Sequence, residues 1–391
     1  MTDWSNLHQD ILNLIFSELS LHNLLCCTVV CAAWLCIIRD LRRYCPKLRH
    51  QSPWLAFNGS DDNDDPFAAH FLSLLEQKVY TIRLPQPLIR YRLFVGSSYG
   101  WLITIDEWFK MQLLNPISGA QINIPFILTL DHIRPFRDPW GRVRGHNYNI
   151  LYNQYPMEEI SKLNFKAMLS SDPSRGDYIV TLIYYPYGGI SFAKSSDDKW
   201  TTMSLPGLYD DAIFYKDQLY ATFDGRVDIW DDLNQEWKTM VPRPELVDFY
   251  PFYFSFWSLV QTPSCDLLHV WGKIIPMEEH NVDTEIPLMV VYRLDIHNGT
   301  SLQVKNLGEY ALFLCNNQSL CLSCKDLPEL RPNHIYFTND FWWLNDHREK
   351  CRDVIIYDLE NDTFSYILRS DARLNMPPPI WITPNPLLND L

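Results

Sequence analysis

Residues 4–34 read WSNLHQDILNLIFSELSLHNLLCCTVVCAAW, and this leucine-rich stretch predicts a helical N-terminal module. In its first half the apolar residues recur at steps of three and four, which places them along one side of a helix. Asp10 lies near the expected start of that helix, where a carboxylate interacts favourably with the helix dipole. The apolar side consists of Leu7, Ile11, Leu14, Ile15 and Leu19.

The second half continues into an apolar run, residues 24–38, in which only Thr28 falls outside the apolar class. A helix that is apolar all round needs cover on several sides, and a unit of about 50 residues buries too little surface to provide that cover alone. The run is shorter than the roughly 20 residues that a membrane span requires. The preceding segment contains Asp3, Asp10 and Glu18 but no Lys or Arg, unlike the basic leader of a signal peptide. We therefore expect a protein partner to complete this surface.

The same stretch resembles an F-box over roughly residues 4–45, which predicts an F-box domain in residues 1–50. That family's pattern has a Trp, a Leu-Pro pair, an acidic residue, paired aliphatic residues and a later Val-Cys-x-x-Trp. One departure is His8, which stands where the family usually has a proline that lies in the adaptor interface and pre-sets a helix start. The matching residues are Trp4, Leu7, Asp10, Ile11, Leu12, Ile15, Leu19, Leu24, Val30, Cys31 and Trp34.

This resemblance implies an adaptor for ubiquitin ligation, whose N-terminal helices dock on a Skp-family adaptor and through it on a cullin. Several of the residues could belong to the internal core of the F-box instead. For Val30 and Trp34 the core interpretation is as good as direct contact. The predicted adaptor-binding residues are Leu7, Asp10, Ile11, Ile15, Leu19, Leu24, Val30 and Trp34.

Composition predicts a folded chain with an acidic body. Of the 391 residues, 14% are aromatic and 20% are charged, which is unlike a disordered protein. Residues 1–50 carry a net charge of +1 and the remaining residues −15. Binding to nucleic-acid phosphates needs clustered Lys and Arg, so we expect no nucleic-acid partner. A basic protein partner is compatible with this charge, which also serves solubility.

The ten cysteines predict thiols in a reducing compartment, either cytoplasm or nucleus or both. Half of them lie in the N-terminal module, where they suit a helix as small hydrophobic residues. Cys321 and Cys324 form a single C-x-x-C pair, with Cys315 upstream. One such pair without a second pair or a nearby His is a weak zinc signal, so we predict no metal and no cofactor.

Residues 51–79 are predicted to be a linker. Residues 59–66, GSDDNDDP, are charged and turn-forming, which is typical of an exposed loop. They have the look of a calcium loop, but Pro66 stands where an EF-hand needs glycine.

From about residue 80 the pattern changes to short β-branched and aromatic runs bounded by Gly, Pro, Asn or Asp. Because no long amphipathic helix interrupts them, a sandwich, a barrel or a propeller remains possible. Five segments repeat the form strand, polar turn, strand, and two of them contain Trp-x-Thr-Met at Trp200 and Trp237. A unit that recurs at about 40 residues is typical of propeller blades. The five segments are residues 113–122, 191–203, 227–240, 292–304 and 355–367.

A second resemblance covers most of residues 90–360. Five short motifs occur in the order seen in plant F-box proteins with a kelch-like KIB-type β-propeller. The resemblance implies a propeller in residues 80–375 that recruits protein targets, and a Pro-rich tail in residues 376–391. It identifies neither the target nor the target-binding residues, and the blade number stays open. The motifs are YGWL at 99–102, LNP at 114–116, GRVDIW at 225–230, LGEYALFL at 307–314 and NHIYF at 333–337.

The sequence predicts no catalytic residues. Residues 96–100, GSSYG, match the G-x-S-x-G hydrolase pattern, but a strand pattern follows where the nucleophile elbow needs a helix. We therefore predict a hairpin turn there. Four N-glycosylation sequons, at Asn58, Asn298, Asn317 and Asn361, are interpreted as turn asparagines.

The resulting hypothesis is an α+β multidomain protein: a small all-α F-box followed by an all-β propeller. Its predicted function is the substrate-recognition subunit of a Skp–cullin–F-box ubiquitin ligase, without a membrane or nucleic-acid partner. Two alternatives remain open at this point. One is a non-ligase binding scaffold in which His8 weakens adaptor docking, and the other is a propeller hydrolase or ligand sensor.

Overall fold

The computed structural model describes most of the chain. The described residues are 7–19, 21–28, 30–44, 51–58, 65–74, 76–106, 108–130, 133–137, 139–140, 143–148, 153–156, 165–184, 189–203, 209–244, 254–277, 284–315, 317–338, 352–371 and 379–385.

The N-terminal module contains three helices. Their first-to-last residues are Gln9–Ser17 (α1), Leu21–Thr28 (α2) and Ala32–Tyr44 (α3). The apolar run that we expected to be one helix is divided between α2 and α3, which are separated by the non-helical Val30 and Cys31. Helix α3 packs on both α1 and α2, so each apolar segment is covered within the module on one side.

The rest of the described chain consists mainly of β-strands, most of which form a six-bladed propeller, and it also contains three short 3-10 helices at Ile89–Tyr91, Ile127–Thr129 and Pro173–Arg175. The first blade contains β1 (Trp54–Asn58), β2 (Ala68–Ser73), β3 (Lys78–Arg83) and β28 (Ile380–Ile382). The second contains β4 (Arg92–Ser98), β5 (Trp101–Asp106), β6 (Met111–Leu114) and β7 (Gln121–Ile124). The third contains β11 (Phe165–Leu169), β12 (Ile179–Tyr184), β13 (Gly189–Lys194) and β14 (Thr201–Thr202).

Three further blades complete the ring. The fourth contains β15 (Asp211–Tyr215), β16 (Gln218–Phe223), β17 (Arg226–Asp231) and β18 (Glu236–Val241). The fifth contains β19 (Phe254–Gln261), β20 (Leu267–Met277), β21 (Thr284–Asp295) and β22 (Thr300–Val304). The sixth contains β23 (Tyr310–Leu314), β24 (Leu320–Ser323), β25 (His334–Thr338), β26 (Arg352–Asp358) and β27 (Thr363–Asp371). A separate three-stranded sheet lies between the second and third blades in the chain and contains β8 (Ile133–Arg137), β9 (Val143–Tyr148) and β10 (Asn153–Pro156).

One end strand of each blade contacts its counterpart in the next blade, and these strands form the inner ring. Strand β28 contacts β4, β4 contacts β11, β11 contacts β15, β15 contacts β19, and β19 contacts β24. The approach is close at Gly96, where a Cβ atom would lie 2.0 Å from the carbonyl oxygen of Ala167 in the next blade. A side chain at residue 96 would therefore push two blades apart.

The first blade takes strands from both ends of the chain. Its order is β28-β1-β2-β3, and Ala56 of β1 pairs with Ile380 of β28 in antiparallel register. The predicted linker, residues 51–79, is therefore wrong where the chain is described, because β1 and β2 belong to the propeller. The predicted tail is also wrong at residues 380–382, which form the inner strand. Of the suspected calcium loop, residues 59–64 lie outside the described residues.

All five repeated segments are confirmed as the last two strands of blades, from the second blade through the sixth. Three of their turns share one hydrogen-bonding device, in which an Asp accepts from the side-chain amide of the Asn three residues later. The pairs are Asp231 with Asn234 at 2.8 Å, Asp295 with Asn298 at 2.7 Å, and Asp358 with Asn361 at 2.8 Å. The predicted hairpin at residues 96–100 is also confirmed, since Tyr99 (φ 55°) and Gly100 (φ 81°) form the turn between β4 and β5.

Candidate interaction surfaces

The helical module has a small apolar core of its own. Leu12 and Phe16 of α1 are fully buried, together with Leu24 of α2 and Ile38 of α3. The ring of Trp34 lies edge-on to that of Phe16, with centroids 5.2 Å apart and planes at 70°. These contacts hold the three helices together, because an edge-to-face pair adds to the free energy gained from burial.

A second apolar side of α1 faces away from this core. Ile11 is 47% exposed, Leu14 70% and Ile15 40%. These residues are spaced three and four apart, so their side chains lie together on the helix surface. Val30, which follows α2, is 60% exposed. Large apolar side chains grouped on a surface mark sites of protein contact.

The structure divides the predicted adaptor-binding residues into two groups. Asp10, Ile11, Ile15 and Val30 lie at the surface. Leu24 is fully buried, and three others pack against the core: Leu7, Leu19 and Trp34. Leu14, which was not among the predicted adaptor-binding residues, is the most exposed apolar side chain of α1. The sequence missed it because α1 is apolar on two sides, and its periodicity does not tell which side faces the core.

His8 performs the capping role at the start of α1. Its φ is −60°, and its Nδ1 accepts a hydrogen bond from the backbone N–H of Asp10 at 3.3 Å. The same Nδ1 lies 3.3 Å from Asp10 Oδ2, so a protonated ring forms an ion pair there instead. A φ near −65° is the value that proline fixes. The backbone at residue 8 is therefore already compatible with the proline that other F-boxes have.

The inner ring of the propeller contains a buried ion pair between blades. Lys166 Nζ of β11 lies 2.7 Å from Asp211 Oδ1 of β15, with side chains 5% and 1% exposed. Asp211 Oδ2 also accepts from the backbone N–H of Leu259 in β19 at 2.8 Å. One carboxylate thus joins the third, fourth and fifth blades.

Burial and the neighbouring Asp211 raise the pKa of Asp210 to about 8.

Asn317 closes the ring on the opposite side. Its side-chain amide donates to Ser97 Oγ in the second blade at 2.7 Å and to the carbonyl oxygen of Trp381 in the first blade at 2.6 Å. Asn317 itself precedes β24 in the sixth blade and is 1% exposed. Three blades therefore meet at one side chain. The sequons at Asn317 and at Asn58, which is 2% exposed, are buried in the fold, whereas those at Asn298 and Asn361 lie in exposed turns as predicted.

The C-x-x-C pair begins with a buried thiol, Cys321. Burial raises the pKa of Cys321 to about 12, which disfavours the thiolate that binds metals. Among the described residues, no cluster of three or more His, Cys, Asp or Glu side chains is arranged to hold a metal ion. None of the helices in the described part of the chain has both the length and the apolar character needed to cross a bilayer.

Comparison with known protein families agrees with this architecture. The F-box domain family matches residues 4–46, and the KIB1-4 beta-propeller family matches residues 71–358, well over half of the chain. The chain belongs to the KIB1-4 β-propeller family. Its N-terminal F-box and KIB-type propeller were both predicted from the sequence, and both are confirmed.

Relatives of this KIB1-4 propeller protein that match it over nearly their whole length are named F-box proteins. The F-box protein SKIP23 of Arabidopsis thaliana is 25% identical over 416 residues, which cover 98% of this chain and 96% of that protein. Another F-box protein of the same plant is 24% identical over 396 residues, with 97% of both chains covered. The similarity to both relatives thus extends over nearly the whole of each chain.

The similarity to solved structures is weaker. An oligogalacturonate lyase in complex with manganese aligns at 9% identity and a TM-score of 0.37, over 83% of this chain and 78% of that one. A TM-score this low supports no argument about activity.

Proposed function

We propose that this protein is the substrate-recognition subunit of a Skp–cullin–F-box type ubiquitin ligase. An F-box joined to a propeller is the architecture of such receptors in general. In this role the F-box docks on a Skp-family adaptor and through it on a cullin, and the propeller binds a protein target. The complex would work in the cytoplasm, the nucleus or both.

The observation that carries this proposal is the exposed apolar side of α1, formed by Ile11, Leu14 and Ile15. The module already has its own core, so these side chains are not needed to hold the three helices together. An amphipathic helix that presents apolar residues at such spacing is a recurrent way to fill a groove on a partner. We propose that the adaptor supplies that groove, and that Val30 and Asp10 lie at its margin.

The propeller contributes position rather than chemistry. Its blades are joined by buried contacts such as Lys166 with Asp211, which make the inner ring a rigid support. A rigid receptor raises the effective concentration of a target lysine near a ubiquitin-charged enzyme. We propose that no residue of this chain takes part in a bond-making step.

The second candidate is a binding scaffold that does not act in ligation. It is favoured by one observation: His8 stands in the place of the family proline. The N-cap geometry of His8 argues for retained docking, since α1 begins in the same backbone conformation that proline would impose. Adaptor affinity distinguishes the two candidates.

The test is co-purification of the full-length protein with a Skp-family adaptor, followed by measurement of the affinity. The decisive variant is Leu14→Asp, because Leu14 is 70% exposed and lies outside the core. Its matched control is Leu302→Asp, on β22 of the fifth blade, where the leucine is 69% exposed. We expect Leu14→Asp to weaken adaptor binding at least about thirtyfold, the effect of losing an interface hot spot, and Leu302→Asp to leave it unchanged.

Two results would contradict the proposal. If the wild-type protein is folded and binds no Skp-family adaptor, the scaffold becomes the better candidate. If Leu14→Asp and Leu302→Asp bind the adaptor equally well, the exposed side of α1 is not the docking surface.

A further inference from the structure

A groove with a volume of approximately 810 Å³ lies between the third and fourth blades. It is formed at the end of these blades where the first strand turns into the second and the third turns into the fourth. We call it the III/IV groove. Its apolar lining includes Phe192 and Met203 from the third blade and Phe214, Ile229 and Trp230 from the fourth. The volume falls within the roughly 300–1,000 Å³ of typical ligand sites.

Two buried polar atoms of this groove have no hydrogen-bond partner in the described part of the protein. They are the hydroxyl oxygen of Thr181, a residue that is 0% exposed, and the indole N–H of Trp230, a residue that is 7% exposed. Buried polar groups are normally paired, because an unpaired one loses its water without compensation. A ligand with both a donor and an acceptor would satisfy both atoms, and a peptide main chain has both.

The rim of the III/IV groove adds an exposed apolar side chain. Leu233, in the turn between β17 and β18, is 95% exposed and lines the groove. The turn that presents it is held in place, because Asp231 accepts from the backbone N–H of Leu233 at 2.9 Å. A leucine held almost entirely in water on an ordered turn contributes nothing to the folded core. Its position suits it to cover a bound side chain.

The rim is also charged, with acidic side chains on the side of the fourth blade and a lysine on the side of the third blade. On the side of the fourth blade, Asp217 and Asp232 form no ion pair with any described residue, whereas Asp231 is paired with Lys238. On the side of the third blade, Lys194 has no ion-pair partner in the described residues. Two available carboxylates on one side favour a basic group of the ligand at that position. The acidic body of the protein adds a weaker, long-range attraction of the same sign.

We propose that the III/IV groove is the target-binding site of this propeller, and that it holds an extended protein segment with an aromatic or aliphatic residue next to a Lys or Arg. This inference rests on the proposed function and names the chemistry of its target. The apolar residue packs between Phe192, Phe214 and Trp230 beneath Leu233. The basic residue lies against Asp217 and Asp232. The main chain accepts from the indole of Trp230 and donates to the hydroxyl of Thr181.

The test is selection of a phage-displayed library of random linear peptides on the full-length protein. Phage that bind the empty support are removed by counter-selection. The enriched peptides are then synthesised with a fluorescent label, and their affinities are measured by anisotropy. We expect them to share an apolar residue next to Lys or Arg.

Three measurements on these peptides decide the proposal. We expect Leu233→Asp to weaken binding at least about tenfold, as loss of an interface anchor does. We expect the double variant Asp217→Lys/Asp232→Lys to weaken it about tenfold as well and to reduce its dependence on salt. The matched controls are Leu302→Asp on β22 and Asp326→Lys in the turn after β24, and both should bind as the wild type does.

The proposal is overturned if no peptide survives counter-selection, if the enriched peptides lack the basic residue, or if the groove variants bind them as tightly as the controls do. The Leu233 and Asp217/Asp232 variants should keep wild-type adaptor affinity. Failure of peptide binding at the III/IV groove and failure of adaptor binding by the F-box are therefore measured separately.

Discussion

Lys166 Nζ lies 2.7 Å from Asp211 Oδ1, and this contact joins the inner strands of two neighbouring blades inside the propeller. Because both side chains are buried, neither has water as an alternative partner. Asp211 is further held by the backbone N–H groups of Ala212 and Leu259, each at 2.8 Å. The centre of this ring is therefore held by charge as well as by apolar packing.

Replacing Lys166 by Met should lower the free energy of unfolding by about 3–5 kcal/mol, the usual cost of leaving one member of a buried ion pair alone. Urea denaturation followed by tryptophan fluorescence measures it. The double variant Lys166→Met/Asp211→Asn should recover part of the loss, because no charge is then left unpaired. A loss below about 1 kcal/mol in the single variant would mean that the ion pair does not join the blades.

His269 should make the propeller sensitive to acid. Its ring is buried, accepts or donates a hydrogen bond with Thr222 Oγ1 at 2.8 Å, and stacks on Trp257 with centroids 4.3 Å apart. Burial lowers the pKa of His269 from 6.5 to about 3. Between these two pH values the imidazole of His269 is protonated in the unfolded chain and neutral in the folded protein. The contribution of His269 to the free energy of unfolding is therefore fully present above pH 6.5 and is lost as the pH falls towards 3.

The variant His269→Gln removes this proton linkage and keeps a hydrogen-bonding side chain. We expect its melting temperature to fall less steeply than that of the wild type between pH 6.5 and pH 4, even if it starts from a lower value. Scanning calorimetry across this pH range measures the two slopes. Parallel slopes would show that His269 titrates normally in the folded protein.

Asn317→Ala should destabilise the ring at its closure. The change removes the donor to Ser97 Oγ and to the Trp381 carbonyl oxygen, which then keeps only the Ser97 hydroxyl as a donor among the described residues. We expect a loss of about 2–4 kcal/mol from the two unmade hydrogen bonds, measured by urea denaturation. The control is Asn361→Ala, which replaces another sequon asparagine in an exposed turn. It should lower the free energy of unfolding by no more than about 1 kcal/mol. Equal losses would indicate that Asn317 supports only its own loop.

Trp34→Ala should unfold the helical module selectively. Trp34 packs edge-on against Phe16 and covers the core of the three helices. The loss should be about 3 kcal/mol for removing a large aromatic side chain that is partly buried, and adaptor binding should fall with it. The propeller's denaturation midpoint should not move. If the variant keeps its helical signal and its adaptor affinity, Trp34 is neither core nor contact.

His8→Pro should strengthen adaptor binding, because proline fixes the φ that α1 already has at its N-cap. The variant loses the cap from the imidazole to the N–H of Asp10, so the gain should be modest, about threefold to tenfold. Calorimetric titration with a Skp-family adaptor measures it. An unchanged or weaker affinity would show that the histidine is no handicap.

The repeated hairpins were predictable from the sequence because each is local. The pattern of strand, polar turn and strand, with turn residues such as Asn298 and Gly299, specifies a hairpin without help from distant residues. The first blade was missed for the opposite reason. Its strand β1 pairs with β28 at the far end of the chain, and nothing in the local sequence of residues 54–58 indicates that partner.

The interaction surfaces were only partly predictable. The F-box pattern found the correct helices, but it placed Leu24 at the surface and omitted Leu14, since the sequence does not tell which apolar side of a helix faces the core. Only the packing of α1 on α3 separates inner from outer residues. The III/IV groove was invisible in the sequence, because its lining comes from turns and strands of two blades that meet only in the folded ring.

The first blade also has a consequence for protein synthesis. Its outer three strands leave the ribosome early, whereas its inner strand, Ile380–Ile382, is the last strand of the described fold to emerge. Until then β1 presents an unpaired edge, which is a template for aggregation. A premature stop codon that removes only this short strand would therefore leave every other blade encoded and the ring open. Messages truncated in this way should yield protein that chaperones retain or proteases remove, although the F-box and nearly all of the propeller have been translated.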